Sequence, residues 1–243
     1  LIPPEKKDKT PMWIRSAIFY AGLIPLTIFF SFISLLIIPA RRHVRYDIIS
    51  LWAVCTIHWL KITCNLTYEV KGLKNIPKTA GVILCKHQSA WETIAMQLIF
   101  PRQSQVLKKE LFYLPFFGWG LASLNPIAIN RKLGTRAIKI ILRLGAARIR
   151  EGWWVLLFPE GTRVPYGFKG KYTQTGAALA LEIKCPVIPV AHNAGAFWSK
   201  ESFIKRPGRI TVVIGESLQT CGKNRKQIMA EAETWIESTC EKL

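Results

Sequence analysis

Acidic residues are scarce in this chain of 243 residues: 15 Asp and Glu stand against 34 Lys and Arg, giving a formal net charge of +19. Such an excess favours an anionic partner, which could be nucleic acid, an acidic membrane surface or a phosphorylated substrate. Zinc-ligand spacing, a helix-turn-helix signature and an aromatic RNA-binding motif are missing, and the basic residues are scattered among apolar helices. We therefore expect an anionic membrane surface and a phosphate group as partners, and no nucleic acid.

Closely paired cysteines are also missing. The chain has six cysteines, none of which forms a pair at metal-binding spacing, and several lie inside apolar runs. This distribution favours buried, reduced thiols over a disulfide framework and places the domain in a reducing compartment. Because the sequence contains no ligand cluster, we expect neither a metal nor a bound cofactor.

Charge is absent from one long stretch, Ser16 to Ala40. As a helix this stretch would be about 37 Å long at ~1.5 Å per residue, enough to cross a hydrocarbon core of ~30 Å. Its apolar core is long and no small-residue cleavage site closes it, so it does not match a cleavable signal peptide. Pro25 is expected to kink this helix.

A second apolar segment, Tyr46–Cys64, carries several polar residues and is predicted to be an interfacial helix, with Trp52 and Trp59 near the headgroups. A buried helical hairpin of a soluble protein is the alternative. We expect residues 1–65 to form N-terminal membrane-anchoring helices and residues 66–243 to form the catalytic domain.

Beyond residue 65, short apolar runs alternate with helical patterns up to Arg209–Gly215, and Asn224–Cys240 is predicted as a closing helix. This alternation predicts an α/β domain, with a central mixed sheet flanked by helices. Ligands gather at strand ends in such sheets. The ends of the apolar runs are therefore where functional residues are expected.

His87 follows the apolar run Gly81–Lys86, and Glu92 comes five residues later in the predicted first turn of a helix. A histidine at a strand exit, with a carboxylate near enough to hold one tautomer, is suited to act as a general base. Alone this pair is a weak signal, because a partly buried histidine that caps a helix has the same pattern.

Three further blocks place polar residues at the ends of apolar runs. They are Val106-Leu-Lys-Lys-Glu-Leu111, Asn125-Pro-Ile-Ala-Ile-Asn-Arg131 and Pro159-Glu-Gly-Thr-Arg163. With the His87 block, in this order and at these spacings, they resemble the glycerolipid acyltransferases, and most closely the 1-acyl-glycerol-3-phosphate acyltransferases of the PlsC type. The resemblance covers roughly residues 66–215. One departure is that the family usually has Asp where this chain has Glu92, which carries the same charge one methylene further out.

The resemblance implies transfer of an acyl chain from an acyl thioester, on coenzyme A or acyl-carrier protein, to the sn-2 hydroxyl of lysophosphatidic acid, giving phosphatidic acid. It makes His87 the base and Glu92 the residue that orients it. The substrate-binding residues that it implies are Lys108, Arg131, Glu160, Gly161, Thr162 and Arg163. It also implies an enzyme bound to the bacterial inner membrane, with its catalytic domain on the cytoplasmic side.

Two other functions stay open: acylation of a different lysolipid, and lipid binding at the membrane without activity, which would be favoured if Glu92 cannot reach His87. A different mechanism is also possible, since Cys85 lies two residues before His87 on the same side of the strand and could form an acyl-enzyme. A buried core thiol is the usual role of such a cysteine.

Two surfaces have open interpretations. The predicted helix Thr135–Arg150 places Arg136, Lys139, Arg143 and Arg150 on one face, which is either solvated or docks a membrane or an acidic acyl-carrier protein. The aromatic residues between Phe112 and Trp119 form either ordinary core or the wall of an acyl channel.

Overall fold

The computed structural model describes residues 10–243. Residues 1–9, the start of the expected anchoring segment, lie outside the described part. The helices are α1 (Met12–Leu36), α2 (Arg42–Cys64), α3 (Trp91–Ile99), α4 (Phe117–Ser123), α5 (Thr135–Arg150), α6 (Thr175–Ile183), α7 (Ala194–Phe197) and α8 (Arg225–Cys240). The strands are β1 (Leu66–Lys71), β2 (Val82–Cys85), β3 (Gln103–Lys108), β4 (Ile127–Ile129), β5 (Trp154–Leu157), β6 (Val187–His192) and β7 (Gly208–Ile214).

The seven strands form one sheet in the order β1-β7-β6-β2-β5-β3-β4. All neighbouring pairs are parallel except β6 and β7, which pair antiparallel through Val190 and Ile214. The predicted fold class, an α/β domain with a mixed central sheet and two apolar N-terminal helices, is therefore confirmed. β2 lies near the centre of the sheet, so its carboxyl end delivers His87 to the middle of one sheet edge.

The two faces of the sheet carry different helices. On one face, α1, α2 and α3 pack against strand residues such as Ile83 and Trp154 in a shared core. On the other face, α5, α6 and α8 pack against Val82, Leu84 and Val155. The strands alternate their apolar side chains between these layers, as is expected for a sheet that is buried on both faces.

The distribution of side chains on helix α1 is the reverse of that on an ordinary surface helix, since several polar side chains are buried and large apolar side chains are exposed. Its buried side chains include Arg15, Ser16, Ser31 and Ser34. Its exposed side chains are large and apolar and lie on one side of the helix; they include Trp13, Ile18, Ile24, Phe29, Phe32 and Leu36. By length and composition, α1 and α2 could each cross a membrane. An outward apolar face of this extent fits membrane association.

The polar groups of α1 are satisfied within the protein. The hydroxyls of Ser16, Thr27 and Ser31 donate to carbonyls one turn earlier in the helix, at 2.8, 2.8 and 2.6 Å. Arg15 Nε donates to the carbonyl of Thr63 in α2 at 2.7 Å. α1 also runs through Pro25 as a single helix. The apolar face can therefore lie against hydrocarbon without exposing these groups.

Trp52 and Trp59 join the two N-terminal helices. Their indole N–H groups donate to Thr27 Oγ1 and to the carbonyl of Phe19, both at 3.1 Å. Both side chains are half-buried between α1 and α2. An indole N–H needs an acceptor when it is buried, and here the neighbouring helix supplies it. The expected place of both residues near the headgroups stays a prediction.

The basic face of α5 is exposed as the sequence predicts. Arg136, Lys139, Arg143 and Arg150 are solvent-accessible, and none has an ion pair within residues 10–243. However, α5 packs on the face of the sheet opposite to α1. The sheet therefore separates this basic face from the apolar face of α1.

Candidate active site

The site is built at the carboxyl end of β2. After Cys85 the chain leaves the sheet, and Lys86 is still held by a backbone hydrogen bond to Val190 of β6 at 3.0 Å. His87 Nδ1 lies 2.8 Å from Glu92 Oε1, in the first turn of α3. The same carboxylate oxygen accepts the backbone N–H groups of Gln88 and Ser89, at 2.9 and 2.7 Å. Glu92 thus holds the turn that leads into α3 and fixes the imidazole at the same time.

The environment of Glu92 favours its charged form. Its side chain is fully buried. Burial alone raises the pKa of Glu92, but the nearby ring of His192, the hydrogen bond with His87 and the N–H of Ser89 outweigh it, so the pKa lies below its ordinary value. Because an ionised carboxylate only accepts hydrogen bonds, Nδ1 of His87 must carry the proton and donate it. Nε2 is then the free basic nitrogen.

The ring of His87 is held on its other side by Phe158. The two rings stack with centroids 4.0 Å apart and planes 17° apart. The His87 side chain remains 13% exposed, and this exposed part borders a cavity of about 600 Å³. A fixed imidazole whose second nitrogen is accessible from a cavity is the arrangement that a general base requires.

One end of this cavity is cationic. Lys108, Arg131, Thr162 and Arg163 all line it together with His87. The structure therefore brings together these predicted residues from three separate blocks. Burial lowers the pKa of Arg131, with Glu110 opposing it, but a guanidinium stays protonated at any physiological pH.

The remainder of the cavity is largely apolar. It passes between α1, α2, α3, α4 and β3, and its walls include Leu23, Phe30, Ile49, Ile94, Phe117 and Leu121. Five of the six residues of β3, from Gln103 to Lys108 with the exception of Ser104, line it. At ~3.3 Å per residue the cavity therefore follows this strand for about 16 Å. Of the predicted aromatic cluster, Phe117 contributes to the cavity wall, while Tyr113 and Trp119 are exposed large side chains.

Glu160 and Gly161 are not among the residues that line this cavity, and their substrate contact stays a prediction. The Glu160 side chain is fully buried, and its Oε1 lies 3.3 Å from Lys86 Nζ. Gly161 has φ +68°, a left-handed conformation that favours glycine, and it turns the chain so that Thr162 and Arg163 reach the cavity. The carboxylate of this sequence block therefore faces the protein interior, and only Thr162 and Arg163 face the cavity.

Several functional-site residues have no sequence signal. Lys200, after α7, adds another cation to the lining of the cavity. His192, fully buried at the end of β6, has its Nε2 2.9 Å from the carbonyl oxygen of Lys86. Burial lowers the pKa of His192, while Glu92 opposes this shift. Since a carbonyl oxygen only accepts, Nε2 of His192 donates to it and so supports the His87 segment. Only the contacts formed on folding connect these residues with the site.

Cys85 is unsuited to be the nucleophile. Its side chain is fully buried in the core with Ile83 and Trp91. Burial, with smaller contributions from Glu92 and Glu160, raises the pKa of the thiol well above its ordinary value. Thiolate formation, which covalent catalysis requires, is therefore disfavoured.

We expect Cys85→Ala to retain acyl transfer within about threefold, since it removes one small buried atom group and no reacting group. The rate of acyl transfer at saturating substrates measures this, and Ala95→Gly in α3 serves as a control of similar size. A loss approaching that of a His87 variant would establish the acyl-enzyme mechanism instead.

Comparison with known proteins decides the family. A family model described as Acyltransferase matches residues 67–193, more than half of the chain. The chain is 42% identical over 233 residues to the 1-acyl-sn-glycerol-3-phosphate acyltransferase of Pseudomonas aeruginosa, covering 93% of this chain and 90% of that protein. This chain belongs to the acyltransferase family. The resemblance inferred from the four sequence blocks is confirmed.

More distant relatives of this acyltransferase agree. The 1-acyl-sn-glycerol-3-phosphate acyltransferase of Saccharomyces cerevisiae is 32% identical over 189 residues, covering 74% of this chain and 61% of that protein. The crystal structure of the 1-acyl-sn-glycerophosphate (LPA) acyltransferase PlsC from Thermotoga maritima superimposes with a TM-score of 0.78 over 94% of both chains, at 21% identity. That likeness shows the common fold. Because it covers 94% of this chain, it extends into the N-terminal helices.

Proposed function

We propose that this acyltransferase transfers an acyl chain from an acyl thioester to the sn-2 hydroxyl of lysophosphatidic acid, giving phosphatidic acid. The observation that carries the proposal is the shape of one cavity. His87, oriented by Glu92 at 2.8 Å, borders it between a cationic end and a long apolar part. The names of the relatives support the acceptor.

In the proposed mechanism, Nε2 of His87 removes the proton from the acceptor hydroxyl as its oxygen attacks the thioester carbonyl. A C–O bond forms, the C–S bond breaks, and the imidazolium returns the proton to the departing thiolate. Glu92 stabilises the imidazolium and keeps Nδ1 as the donor throughout. Because the proton is taken and returned by the same ring, the enzyme needs no other proton carrier.

The cationic end suits the phosphate of the acceptor. Arg131 and Arg163 can each make bidentate contacts with phosphate oxygens, and Lys108 adds a point charge. The hydroxyl of Thr162 adds a further donor. Anchoring the phosphate here would hold the neighbouring glycerol hydroxyl near His87, which is how positioning lowers the barrier of a two-substrate reaction.

The apolar part suits an acyl chain. An extended chain of ~1.52 Å bonds at ~111° advances about 1.25 Å per carbon. The part of the cavity beside Gln103 to Leu107, about 13 Å long at ~3.3 Å per residue, therefore accepts roughly 10 carbons. Leu23, Thr27 and Phe30 of α1 belong to this wall. Because α1 also carries the outward apolar face, a lipid could pass from the bilayer to the cavity along this helix.

Residues 1–65 are proposed as the membrane anchor of a catalytic domain formed by residues 66–243. The outward apolar face of α1 supports this assignment. Arg41, Arg42 and Arg45 flank the α1–α2 turn and favour an anionic leaflet on the cytoplasmic side. The bacterial inner membrane is the proposed location, and the bacterial source of the Pseudomonas aeruginosa relative is compatible with it.

The acyl donor is proposed to be a thioester of coenzyme A or of an acidic acyl-carrier protein. The basic face of α5 favours the carrier protein, because the sheet separates this face from the membrane-facing side of α1. We expect Arg136→Glu/Arg143→Glu to raise KM for acyl-carrier protein about tenfold or more, with KM for acyl-coenzyme A changed less than about threefold.

The matched control for that double variant is Lys71→Glu/Arg209→Glu, which changes the net charge equally on strands β1 and β7 at the other edge of the sheet. An equal rise of KM in both double variants would indicate a general charge effect. An unchanged KM for the carrier protein in the α5 variant would exclude α5 as its docking surface.

The acceptor is tested with a panel of lysolipids that have or lack a phosphate monoester. We expect transfer to lysophosphatidic acid to exceed transfer to lysophosphatidylcholine by about tenfold or more, because choline blocks one charged oxygen of the phosphate. The reverse order would favour the alternative, an acyltransferase for another lysolipid. The condition for the inactive lipid-binding alternative is not met, since Glu92 lies within hydrogen-bond distance of His87.

A further inference from the structure

Lys86, the residue before His87, has a buried ammonium group with two hydrogen-bond acceptors and a second carboxylate close to it. Its Nζ donates to Glu237 Oε1 at 2.7 Å and to the carbonyl oxygen of Phe168 at 3.1 Å, and it forms an ion pair with Glu160 Oε1 at 3.3 Å. Only 1% of its side chain is exposed. The two hydrogen bonds and the ion pair fix the position of this nitrogen in the fold.

The partners of Lys86 belong to segments that are far apart in sequence. Glu237 lies in α8, whereas Glu160 and Phe168 lie in residues 158–174, which connect β5 to α6 without a helix or strand. Tyr172, in the same connection, donates its hydroxyl to Glu237 Oε1 at 2.6 Å. Lys86 thus connects the beginning and the middle of one long loop with the closing helix α8.

This loop carries the end of the cavity that is proposed to hold phosphate. In the sequence, Thr162 and Arg163 lie between Glu160 and Phe168, the two loop residues that contact Lys86. Both line the cavity together with His87. The next residue, Val164, donates its backbone N–H to the carbonyl of His87 at 2.7 Å. Lys86 and this backbone bond therefore both contribute to the distance between the base and the two loop residues Thr162 and Arg163.

The cluster is not optimised as a stabilising ion pair. One ammonium faces two carboxylates, and burial raises the pKa of Glu160 to about 7 although Lys86 opposes it. A buried ionic cluster is often no more stable than apolar residues of the same volume, so its specific geometry needs another explanation. Fixing the position of a loop that contains no regular secondary structure is such an explanation. The internal hydrogen bonds of the loop, such as that from Thr173 N–H to the carbonyl of Pro159 at 2.9 Å, join loop residues to one another, whereas Lys86 joins the loop to the segment that carries His87.

We propose that Lys86 is a positioning residue: it holds the loop of residues 158–174, and with it Thr162 and Arg163, at the distance from His87 that acceptor binding requires. This inference rests on the proposed function and extends it to a residue that touches no substrate. The backbone of Lys86 is hydrogen-bonded to Val190 in the sheet. Lys86 therefore connects the loop to the strand that also positions the base His87.

The test compares Lys86→Met with Lys86→Met/Glu160→Gln. Lys86→Met leaves buried carboxylates without their cation, and we expect lower thermal stability and a KM for lysophosphatidic acid raised about tenfold or more, with kcat changed less than about threefold. The double variant removes one of these charges and should recover stability. If Lys86 positions the loop, the double variant keeps the raised KM. If it recovers the native KM, Lys86 only compensates charge and the proposal is wrong.

Lys205→Met is the matched control. Lys205 is equally buried, and its Nζ has Tyr20 Oη and the carbonyl oxygens of Ser202 and Phe203 as acceptors, at 2.8, 3.1 and 2.6 Å. We expect it to lose stability with KM for lysophosphatidic acid changed less than about threefold. An equal rise of KM in this variant would mean that any loss of a buried lysine weakens acceptor binding, which overturns the proposal. If Lys86→Met does not fold, the double variant alone decides through its KM.

Hydrogen exchange provides a readout that does not depend on activity. We expect amides of residues 158–174 to exchange about tenfold faster or more in the double variant than in the native protein, while amides of β2 and β5 stay protected. Unchanged exchange in this loop would overturn the proposal even in an active enzyme. The two proposals can fail separately. If the native protein transfers no acyl group but the substitution still increases exchange in this loop, the proposed function is wrong, whereas the role of Lys86 in holding the loop stands.

Discussion

His87→Ala is expected to lower kcat for acyl transfer by roughly 10²- to 10⁴-fold, the range that a positioned general base contributes. The alanine leaves the cavity and its cationic end in place, so KM for both substrates should change little. Glu92→Gln should cause a loss in the same range, because an amide can donate to Nδ1 and favour the tautomer in which Nε2 carries the proton. Steady-state kinetics with each substrate varied in turn measures both effects.

Glu92→Asp separates the charge of this residue from its reach. The shorter side chain retracts its oxygens by about 1.5 Å and lengthens the 2.8 Å contact with His87. We expect an intermediate loss of kcat, smaller than that of Glu92→Gln. Because Glu92 also accepts the N–H groups of Gln88 and Ser89, thermal unfolding must show that each variant remains folded. Activity of His87→Ala within about tenfold of the native rate would exclude this base.

Loss of one arginine at the cationic end is expected to have the next largest effect. Arg163→Met or Arg131→Met should raise KM for lysophosphatidic acid by roughly 10- to 100-fold, since a hydrogen-bonded charge contact contributes about 1.5–3 kcal/mol. kcat should fall less, because the phosphate lies away from the reacting atoms. KM for a lysolipid with a blocked phosphate should change less than KM for lysophosphatidic acid. The preference of the enzyme for lysophosphatidic acid over that lysolipid should therefore become smaller.

Arg209→Met is the control for these arginine variants. Arg209 is exposed on β7, pairs with Glu69 at 3.7 Å and does not line the cavity. We expect its KM for lysophosphatidic acid to stay within about twofold of the native value. A KM that is unchanged in both Arg131 and Arg163 variants would place the phosphate elsewhere.

The fold could be predicted wherever a local pattern determines it. The apolar runs before His87 and Pro159 correspond to β2 and β5, because a buried central strand needs side chains that are apolar on both faces. The uncharged stretch from Ser16 corresponds to most of α1. The strand expected over residues 125–131 is shortened to Ile127–Ile129, since Asn125 adopts φ +54° and Arg131 begins a 3-10 turn.

The part of the site that could be predicted is the part with fixed sequence spacing. His87 and Glu92 meet because five residues join a strand end to the first turn of a helix. The contacts of Lys86 could not be predicted, since its partner Glu237 is 151 residues away in sequence. The contact of Glu160 with Lys86 could not be predicted for the same reason, because these two residues also lie far apart in the sequence.

The exposed face of α1 illustrates a further limit. The sequence indicates that the helix is apolar enough for a membrane, but its composition does not say which side faces the protein. Packing of Phe19 and Phe30 into the interior, with Phe29 and Phe32 left outside, is decided by contacts with α2 and α4. Orientation of a uniformly apolar helix is therefore a tertiary property.

The most direct measurement is the transfer of a labelled acyl group from its thioester to lysophosphatidic acid by the purified protein in detergent. We predict labelled phosphatidic acid with the native protein and its loss in His87→Ala, with both proteins equally folded. Absence of phosphatidic acid with the native protein, using either coenzyme A or acyl-carrier protein as donor, would contradict the proposed reaction.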